Sequence, residues 1–547
     1  MNDGAAVVEH SEKHDEKTNV AKIVTVKGSE AFNAAYIAEP PRPLAFRSIV
    51  LYASALIGFL CSTMNGYDGS LLNVLLSNDA FLANFNGTNN GIWAGIVSAI
   101  YQIGGVVALP FVGPAVDTWG RKVGIFIGAA LIIIGTVIQG TTSFTASLGQ
   151  FMAGRFLLGF GVSIAATAGP IYVAEISHPA HRGVVTGLYN TFWFTGAIIS
   201  AGSGRGALTY EGDTSWLIPV WLQLLASVII VFFVYWLPES PRWLYVNSKM
   251  DSARDMLVKY HGHGNPDSVW VTLQLHEYEE SLELQGADKR WWDYRPLFNK
   301  RSSIYRLTCN VVVSIFGQWA GNAVLSYFLS AVLTTAGIVD ETQKLNITLI
   351  QSCVQFIGAI AGSCVIDLLG RRPLLLFTNF TCAAIWLGMT VATSQLIEQP
   401  GNYAASQACL AMIFLFGIVF SIGFTPLQAV YPVEVLSFEM RAKGMAFSSL
   451  AVNAGGLLNQ FAWPVALANI GWKTYIVFTI WDVIQGTVIY FLLPETKGRT
   501  LEELDALFEA PNPRKESLKK KQLLLDADRN LVEIVDLGTG NARRTTV

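Results

Sequence analysis

Apolar runs, separated by short polar loops, fill most of the chain between residues 48 and 493. About 20 consecutive apolar residues form a helix long enough to cross the hydrocarbon core of a bilayer. The pattern therefore predicts an all-α membrane protein with twelve transmembrane helices in two six-helix halves. The predicted spans are 48–72, 92–116, 123–142, 148–174, 184–202, 216–237, 307–334, 347–369, 374–396, 408–433, 442–468 and 475–493.

Polar segments divide this pattern into predicted domains. They are a disordered cytosolic tail (1–47), an N-terminal six-helix half (48–237), a cytosolic helical loop (238–306), a C-terminal six-helix half (307–493) and a second cytosolic tail (494–547). In the central loop, apolar positions at helical spacing predict an amphipathic helix over 251–260. The basic residues after 511 predict a solvated charged helix, or a contact with anionic lipid.

The distribution of Lys and Arg in the short loops predicts the orientation, because cytosolic loops carry the excess of positive charge. The loops assigned to the cytosol carry Arg121, Lys122, Arg182, Arg371, Arg372, Arg441 and Lys443, and the opposite loops carry Arg205, Lys344 and Lys473. Both termini are then cytosolic. The sequons at Asn86 and Asn346 lie in loops assigned to the outside and are predicted glycosylation sites. A third sequon, at Asn379, lies inside a span and is interpreted as a chance match.

Composition limits the possible functions. Hydrophobic residues make up 52% of the chain and charged residues 14%, whereas soluble proteins have about 25% charged residues. The net charge of -3 gives no basic surface for nucleic acid. The chain has no G-x-x-x-x-G-K-[ST] phosphate loop and no enzyme signature, so ATP-driven pumping and catalysis are disfavoured. The six cysteines mostly lie in apolar runs and are interpreted as small buried hydrophobes, so no cofactor, metal or disulfide framework is expected.

Short charged motifs recur along the chain in the same order and at nearly constant spacing. The first recurrence takes Asp117, Gly120 and Arg121 to Asp367, Gly370 and Arg371. The others take Glu175 and Arg182 to Glu434 and Arg441, and Pro238-Glu239 to Pro494-Glu495. These recurrences predict two structurally similar halves, as in transporters built from parallel repeats.

With these motifs and the segments 65–69, 170–175, 238–244 and 494–499, the chain resembles a sugar porter of the major facilitator superfamily from about residue 48 to residue 503. Segments 317–322 and 425–434 look most like those of fungal lactose and cellodextrin permeases. Some positions depart from the family. Gly317 stands where hexose carriers have the first of two adjacent glutamines, and Thr118 replaces a basic residue. Ala429 stands where many hexose carriers have tryptophan, which leaves room for a substrate larger than one hexose.

Asp68 and Arg155 are ionisable residues inside predicted spans. A charge at that depth costs about 2.5–3.5 kcal/mol on insertion scales, so such residues are functional candidates. The resemblance implies that they form the proton-coupling pair. Movement of Arg155 away from Asp68 would let the carboxylate take up or release a proton. The alternative is a static salt bridge that fixes the first span to the fourth.

A sugar site needs amide side chains, which both donate and accept hydrogen bonds, and aromatic surfaces on which a ring can stack. Gln318 and Asn322 are four residues apart and are predicted to share one helix face. Asn190 matches the sugar-binding glutamine position of the family. The full set of predicted substrate-binding residues is Asn190, Gln318, Trp319, Asn322, Tyr327, Gln428 and Asn453. The alternative for each amide is an interhelical hydrogen bond.

The resemblance also implies that charged residues at the cytosolic span ends form ion pairs between the halves and hold an outward-open state. This predicted gating set is Asp117, Gly120, Arg121, Glu175, Arg182, Glu239, Arg242, Asp367, Gly370, Arg371, Glu434, Arg441 and Glu495. The alternative is that these residues only satisfy the charge bias of cytosolic loops.

The sequence therefore predicts a proton symporter that imports a sugar by alternating access. A disaccharide such as lactose or cellobiose is favoured, and a hexose is possible. The alternatives are a facilitative sugar carrier, a sugar receptor that does not transport, and an exporter of another small metabolite. The expected partners are the sugar, the proton and the lipid bilayer, and the expected form is a monomer in the plasma membrane.

Overall fold

The computed structural model describes residues 39–284, 295–399, 401–437, 440–497 and 501–518, together with three strands that follow. Residues 1–38 of the predicted tail (1–47) lie outside the described residues, and α1 begins within its last two positions. The N-terminal half consists of α1 (Phe46–Leu76), α2 (Asp79–Asn84), α3 (Gly91–Gly113), α4 (Arg121–Gly140), α5 (Leu148–Ile176), α6 (Arg182–Ala207), α7 (Thr214–Leu222) and α8 (Leu224–Phe233). A π-helical turn, Pro114–Thr118, continues α3.

The central segment contains four short helices. They are α9 (Pro241–Val246), α10 (Met250–Tyr260), α11 (Val269–Leu284) and α12 (Pro296–Asn299). The position of α10 confirms the amphipathic helix predicted over 251–260. Its apolar side chains Ala253, Met256 and Leu257 are buried. We call the end of the helical bundle that carries these helices the inner end, and the opposite end the outer end.

The C-terminal half consists of α13 (Arg301–Trp319), α14 (Asn322–Tyr327), α15 (Leu329–Thr335), α16 (Glu341–Leu369), α17 (Arg371–Glu398), α18 (Tyr403–Val435), α19 (Arg441–Ile470) and α20 (Thr474–Leu492). After it come α21 (Leu501–Glu509), α22 (Pro513–Ser517) and the strands β1 (Lys521–Leu525), β2 (Leu531–Asp536) and β3 (Arg543–Thr546). The strands pair antiparallel in the order β1-β2-β3. Among the described residues of the basic stretch after 511, α22 is helical and Lys521 already pairs with Asp536 in the sheet.

Each predicted span coincides with a helix or with a run of short helices. Among the described residues, nine stretches are long and apolar enough to cross a membrane, and the last of these covers both α19 and α20. The stretches do not include α6 or the run from α13 to α15. Both contain many polar residues, with charged residues only toward their ends, and the second run is interrupted between α13 and α14.

The interruption between α13 and α14 corrects one prediction. Gly321 has a φ of 95°, in the left-handed region, and it ends the regular helix. The indole N–H of Trp386 donates to the Ala320 carbonyl at 3.1 Å, which supplies a partner for a backbone group at the break. Gln318 and Asn322 therefore lie on two different helices and do not share one helix face.

Glycines allow the helices of the N-terminal half to approach closely. A Cβ at Gly66 of α1 would lie 1.9 Å from the Trp193 carbonyl oxygen of α6, and one at Gly196 of α6 would lie 1.9 Å from the Thr63 carbonyl oxygen of α1. No side chain fits at either position. Small residues at such crossings are typical of helix packing in membranes, where van der Waals contact replaces the hydrophobic effect.

Candidate functional site

Asp68 of α1 and Arg155 of α5 are both buried, with 0% and 2% of their surfaces exposed. The guanidinium carbon of Arg155 lies 5.2 Å from the centre of the Tyr101 ring, in a cation–π contact. Neither carboxylate oxygen of Asp68 has a hydrogen-bond partner among the described residues. The two charges interact through space, but they form no direct salt bridge. The structure therefore shows the two side chains separated, with Arg155 held by an aromatic face.

Tyr327 of α14 brings the C-terminal half to this acid. A Cβ at Gly69, next to Asp68, would lie 3.8 Å from the Tyr327 ring and 3.7 Å from the Trp193 ring. Tyr327 and Arg155 are also within electrostatic reach of each other. The predicted coupling pair and one of the predicted sugar-binding residues are thus adjacent, on opposite sides of the boundary between the halves.

The end of α13 packs against α19. Asn459 donates its side-chain amide to the Gln318 carbonyl at 2.7 Å, and the Trp319 indole donates to the Gly455 carbonyl at 3.1 Å. Sequence analysis did not identify the role of Asn459, which fixes the backbone beside the break. The Gln318 side chain is half-buried and makes no hydrogen bond in the described structure, so it is available to a ligand. Asn322 accepts a hydrogen bond from the Ser326 hydroxyl at 3.1 Å.

Gln428 of α18 occupies the space next to Gly317. A Cβ at Gly317 would lie 1.7 Å from the Gln428 amide nitrogen, so only glycine fits. That nitrogen is buried and has no hydrogen-bond partner. An amide from the neighbouring helix α18 thus fills the space beside this glycine of α13. The side chain of Ala429, on which the prediction of a larger substrate depended, lies outside the described residues.

Asn190 and Asn453 both use their amide nitrogens on backbone carbonyls. Asn190 of α6 donates to the Thr425 carbonyl of α18 at 3.5 Å, across the boundary between the halves. Asn453 donates to Ser449 in its own helix at 2.9 Å. Its amide oxygen faces Gly105 of α3, where a Cβ would lie 3.1 Å away. Each side chain keeps its carbonyl oxygen for another donor.

The halves are joined near the outer end by a few hydrogen bonds. The Ser330 amide donates to the Asn73 side chain at 3.1 Å, and Arg205 donates to the Asn346 side chain at 3.0 Å. A third bond links Ser98 of α3 to Gln460 of α19. These contacts could not be predicted from sequence, because each depends on which helices of the two halves face one another.

At the inner end, the described ion pairs of the predicted gating set form inside each half, which differs from the expected pairing between halves. Arg121 contacts Glu175 at 2.8 Å and Asp117 at 3.2 Å. Arg371 contacts Glu434 at 2.6 Å. In each half the guanidinium contacts an acid on the next helix of the same half. Arg121 of α4 contacts Glu175 of α5, and Arg371 of α17 contacts Glu434 of α18. The side chains of Asp367 and Arg441 lie outside the described residues, and Arg242 is half-buried within electrostatic reach of Glu175.

The same local structure occurs at Gly120 and Gly370, which precede α4 and α17 with φ of 111° and 95°. Glu239 accepts from the Lys122 backbone amide at 3.4 Å, and Glu495 accepts from the Arg371 backbone amide at 3.0 Å. A carboxylate at a helix N-terminus is stabilised by the free backbone N–H groups. A Cβ at either glycine would lie within 3 Å of the facing carboxylate, at 2.8 and 2.9 Å. The repeated sequence motif is therefore a repeated structural unit.

The two predicted glycosylation sites differ in structure. Asn86 lies in an exposed loop with a φ of 49°. The sequence predicts a loop at Asn346, but the residue lies in the second turn of α16. Its side chain accepts the hydrogen bond from Arg205 there. Helical structure begins earlier than the apolar run because Asp340 caps the helix, accepting from the Gln343 amide at 2.8 Å.

A cluster of histidines joins the inner loop between α5 and α6 to the central segment. His261 is 1% exposed, and its ring nitrogens contact the Ile176 carbonyl at 3.0 Å and the Gln274 side chain. The His178 ring centre lies 5.2 Å from that of His261 and 4.9 Å from that of Trp270. Burial lowers the pKa of His261 to about 4 and that of His178 to about 2. Sequence analysis did not identify this cluster.

Comparisons with known proteins agree with this architecture. The family described as "Sugar (and other) transporter" matches residues 54–508. The chain is similar to a high-affinity glucose transporter of Kluyveromyces lactis, with 28% identity over 84% of this chain and 85% of that protein. It is also similar to the MFS-type transporter criB of Aspergillus cristatus, with 27% identity over 84% and 94% of the two chains.

Among solved structures, the chain is similar to the proton:xylose symporter XylE bound to 6-bromo-6-deoxy-D-glucose. The TM-score is 0.71 and the identity 20%, over 85% of this chain and 100% of that one. At this identity the likeness establishes the fold, and the family match covers most of the chain. The protein therefore belongs to the sugar (and other) transporter family, and it is a multi-pass membrane sugar porter with the major facilitator fold.

Proposed function

We propose that this protein is a proton-coupled sugar symporter. The observation that supports the proposal most directly is Asp68, a fully buried acid with no hydrogen-bond partner, beside Arg155 and next to Tyr327. An unpaired carboxylate is costly at membrane depth, so the acid is stable there as a neutral, protonated group or with a cation brought close. In this structure Arg155 lies on the Tyr101 ring, and in our proposal it approaches Asp68 and serves as that cation in another conformational state only.

The mechanism follows from this choice of partners. With Arg155 on the Tyr101 ring, Asp68 carries a proton. When the halves rearrange and Arg155 approaches, the guanidinium stabilises the carboxylate and the proton leaves. Because Tyr327 belongs to the broken helix of the C-terminal half, a sugar that draws α14 toward α1 changes the surroundings of Asp68. Sugar and proton then favour the same conformation, which is the thermodynamic requirement for coupling.

We assign the sugar site to the region around the break after α13. Within the described structure, Gln318 has a half-buried amide that makes no hydrogen bond, and Gln428 has a buried amide nitrogen without a partner. Asn190, Asn322 and Asn453 offer further hydrogen-bonding groups from both halves. Trp319 and Tyr327 supply aromatic faces. Hydroxyl-rich ligands are bound by such convergent amides and aromatic rings.

We further propose that the inner end is cytosolic, that the protein lies in the plasma membrane, and that the structure is an inward-facing state. The contacts Arg205–Asn346 and Asn73–Ser330 join the halves near the outer end. The described inner ion pairs, in contrast, are satisfied within each half. Release of the two contacts near the outer end would open the sugar site to the outer side of the membrane.

For the substrate we propose a disaccharide such as lactose or cellobiose, on the basis of the small residue Ala429 where many hexose carriers have tryptophan. A hexose is the second candidate. Two observations favour it: two of the relatives, at 28% and 27% identity, are described as high-affinity glucose transporters, and the Gln428 amide fills the space beside Gly317.

The test is uptake of labelled lactose, cellobiose and glucose by cells that lack their own sugar carriers, with and without a protonophore. We expect protonophore-sensitive uptake by the wild-type protein and its loss in Asp68→Asn, with Asp68→Glu partly active. Glu211→Gln, at an exposed loop position, is the matched control for removal of an acid. Counterflow in Asp68→Asn, which needs no gradient, should persist, because sugar binding is retained.

The outcomes separate the alternatives. Uptake that is insensitive to the protonophore and unchanged in Asp68→Asn would refute proton coupling and leave a facilitative carrier. Absence of uptake for every sugar, with the protein shown at the cell surface, would refute sugar import and favour a receptor or an exporter.

A further inference from the structure

Asp482 of α20 is a second acid buried within the helices of the C-terminal half, and the mechanism above does not use it. It is 0% exposed, and both its carboxylate oxygens lack a hydrogen-bond partner. No cationic side chain of the described residues interacts with it. A bare carboxylate in this position would be strongly destabilising.

The helix facing Asp482 is α17, and three contacts fix the register of the pair. The Trp386 ring stacks on Phe478 at 4.9 Å. A Cβ at Gly486 would lie 2.9 Å from the Phe380 ring. Nearer the inner end, Arg372 donates to the Tyr490 carbonyl at 2.8 Å. In this antiparallel register, position 382 faces position 482, and position 379 faces position 485.

The side chains beside Asp482 on α20 and opposite it on α17 are polar and fully buried. Among the described residues, Gln485, one turn from Asp482 on α20, makes no hydrogen bond with either atom of its amide. Asn379 of α17 donates its amide nitrogen to the Leu375 carbonyl at 2.8 Å, but its amide oxygen lacks a donor. Cys382 is within electrostatic reach of Asp482. The site therefore holds several oxygen acceptors and one amide donor, in a place where unsatisfied polar groups are costly.

One added proton satisfies most of these groups. A protonated Asp482 has an O–H donor and a carbonyl acceptor, and a carboxamide has a carbonyl acceptor and an NH2 group with two N–H donors. The acid can then donate to the oxygen of Gln485 or Asn379 and accept from the Gln485 nitrogen after side-chain rotation. A metal ion fits less well, because α17 and α20 run without a break and their backbone carbonyls are not free to coordinate it.

We propose that Asp482, Gln485 and Asn379 form a second proton-binding site, located between α17 and α20 of the C-terminal half. The neighbouring residue Trp481 packs against Trp319 at 5.6 Å and Phe316 at 6.3 Å, at the end of α13. A change of protonation at Asp482 can therefore be transmitted through Trp481 to α13, the helix that carries Gln318. This link to sugar binding rests on the proposed function, whereas protonation of the site does not.

Infrared difference spectroscopy of the purified full-length protein, reconstituted in lipid and titrated with pH, measures protonated carboxyl groups directly. We expect a carboxylic-acid C=O band at neutral pH that is absent from Asp482→Asn and shifted in Asp482→Glu. Gln485→Ala should move the band to higher frequency, because the acid loses a hydrogen bond. This variant tests the site even if Asp482→Asn does not fold.

The same measurement on Asp68→Asn identifies the C=O band of Asp68, the other buried acid, so that it can be distinguished from the band of Asp482. Identical bands in the wild type, Asp482→Asn and Gln485→Ala at all pH values would overturn the proposal. A band that disappears when sodium replaces choline at constant pH would also overturn it, in favour of a metal-ion site. Because this measurement needs no transport, failure of sugar uptake leaves its result interpretable.

Discussion

Acidification of the inner side from pH 7 to pH 6 should loosen the central segment from the inner loop between α5 and α6. The contact depends on two buried, neutral histidines. His261 donates from Nε2 to the Ile176 carbonyl at 3.0 Å and accepts at Nδ1 from the Gln274 amide at 2.8 Å. His178 stacks near it and is 8% exposed. Neither ring can take a proton without losing its place in this cluster.

The sign follows from the lowered pKa values, about 4 for His261 and about 2 for His178. The docked state binds fewer protons than a state in which these rings reach water. Docking is therefore fully stable above the ordinary histidine pKa of about 6.5, and it loses stability as the pH falls toward the docked values. The charge of Arg182 and the neighbouring rings of His181 and His263 act in the same direction.

The magnitude can be worked out from linkage. With an exposed pKa of about 6.5, a fall from pH 7 to pH 6 disfavours docking by about 0.7 kcal/mol for each histidine, or about 1.4 kcal/mol for both. The docking equilibrium then shifts about tenfold. His261→Gln keeps hydrogen-bonding groups but cannot titrate, so the shift should fall to about threefold.

Hydrogen–deuterium exchange of α10 and α11 at the two pH values, corrected for the intrinsic rate, measures this equilibrium. His276→Gln is the matched control, because His276 is exposed on the same helix α11. Exchange that does not change with pH, or that changes equally in the wild type and His261→Gln, would refute the reasoning.

Three further predictions follow from contacts in the structure. Gly66→Ala should destabilise the protein by about 1–3 kcal/mol, as overpacking does, because the Trp193 carbonyl fills the space; thermal unfolding in detergent measures this, and an unchanged melting temperature would contradict it. Asn86→Gln should remove a glycan, whereas Asn346→Gln should not, since the Asn346 side chain lies in a helix. The electrophoretic mobility of each variant before and after endoglycosidase treatment shows whether a glycan is present. Glu175→Gln should lower the stability of the folded protein by about 1–3 kcal/mol, as loss of a hydrogen bond to a charged group does. Melting curves that match the wild type would show that the Arg121–Glu175 ion pair is not stabilising.

Apolar length predicted where the helices lie, because the cost of placing polar backbone in lipid allows few alternatives. The motif repeats likewise predicted two similar halves, and Gly120 and Gly370 show the same backbone geometry on the same kind of carboxylate. The burial of Asp68 also followed from sequence, since the residue lies in the middle of a long apolar helix. These features depend on local sequence and on one general property of the lipid, which cannot form hydrogen bonds with the backbone.

The features that could not be predicted depend on contacts between distant parts of the chain. The positive φ of Gly321 breaks α13, but a glycine in an apolar run does not reveal its conformation. The position of Gln428 beside Gly317 requires the relative rotation of two helices. The histidine cluster combines the inner loop with α10, and nothing in the local sequence of His178 indicates that it meets His261.

The ion pairs that lie inside each half have a kinetic consequence. If the halves move as rigid bodies, turnover need not break Arg121–Glu175 or Arg371–Glu434, and the strongest polar contacts of the inner end add nothing to the barrier. The polar share of the barrier then comes from outer hydrogen bonds such as Arg205–Asn346, each worth about 0.6 kcal/mol on average in a membrane protein. Three such bonds amount to about 2 kcal/mol, roughly a 30-fold change in a two-state population. A carrier built in this way can have rigid halves and still exchange its states rapidly.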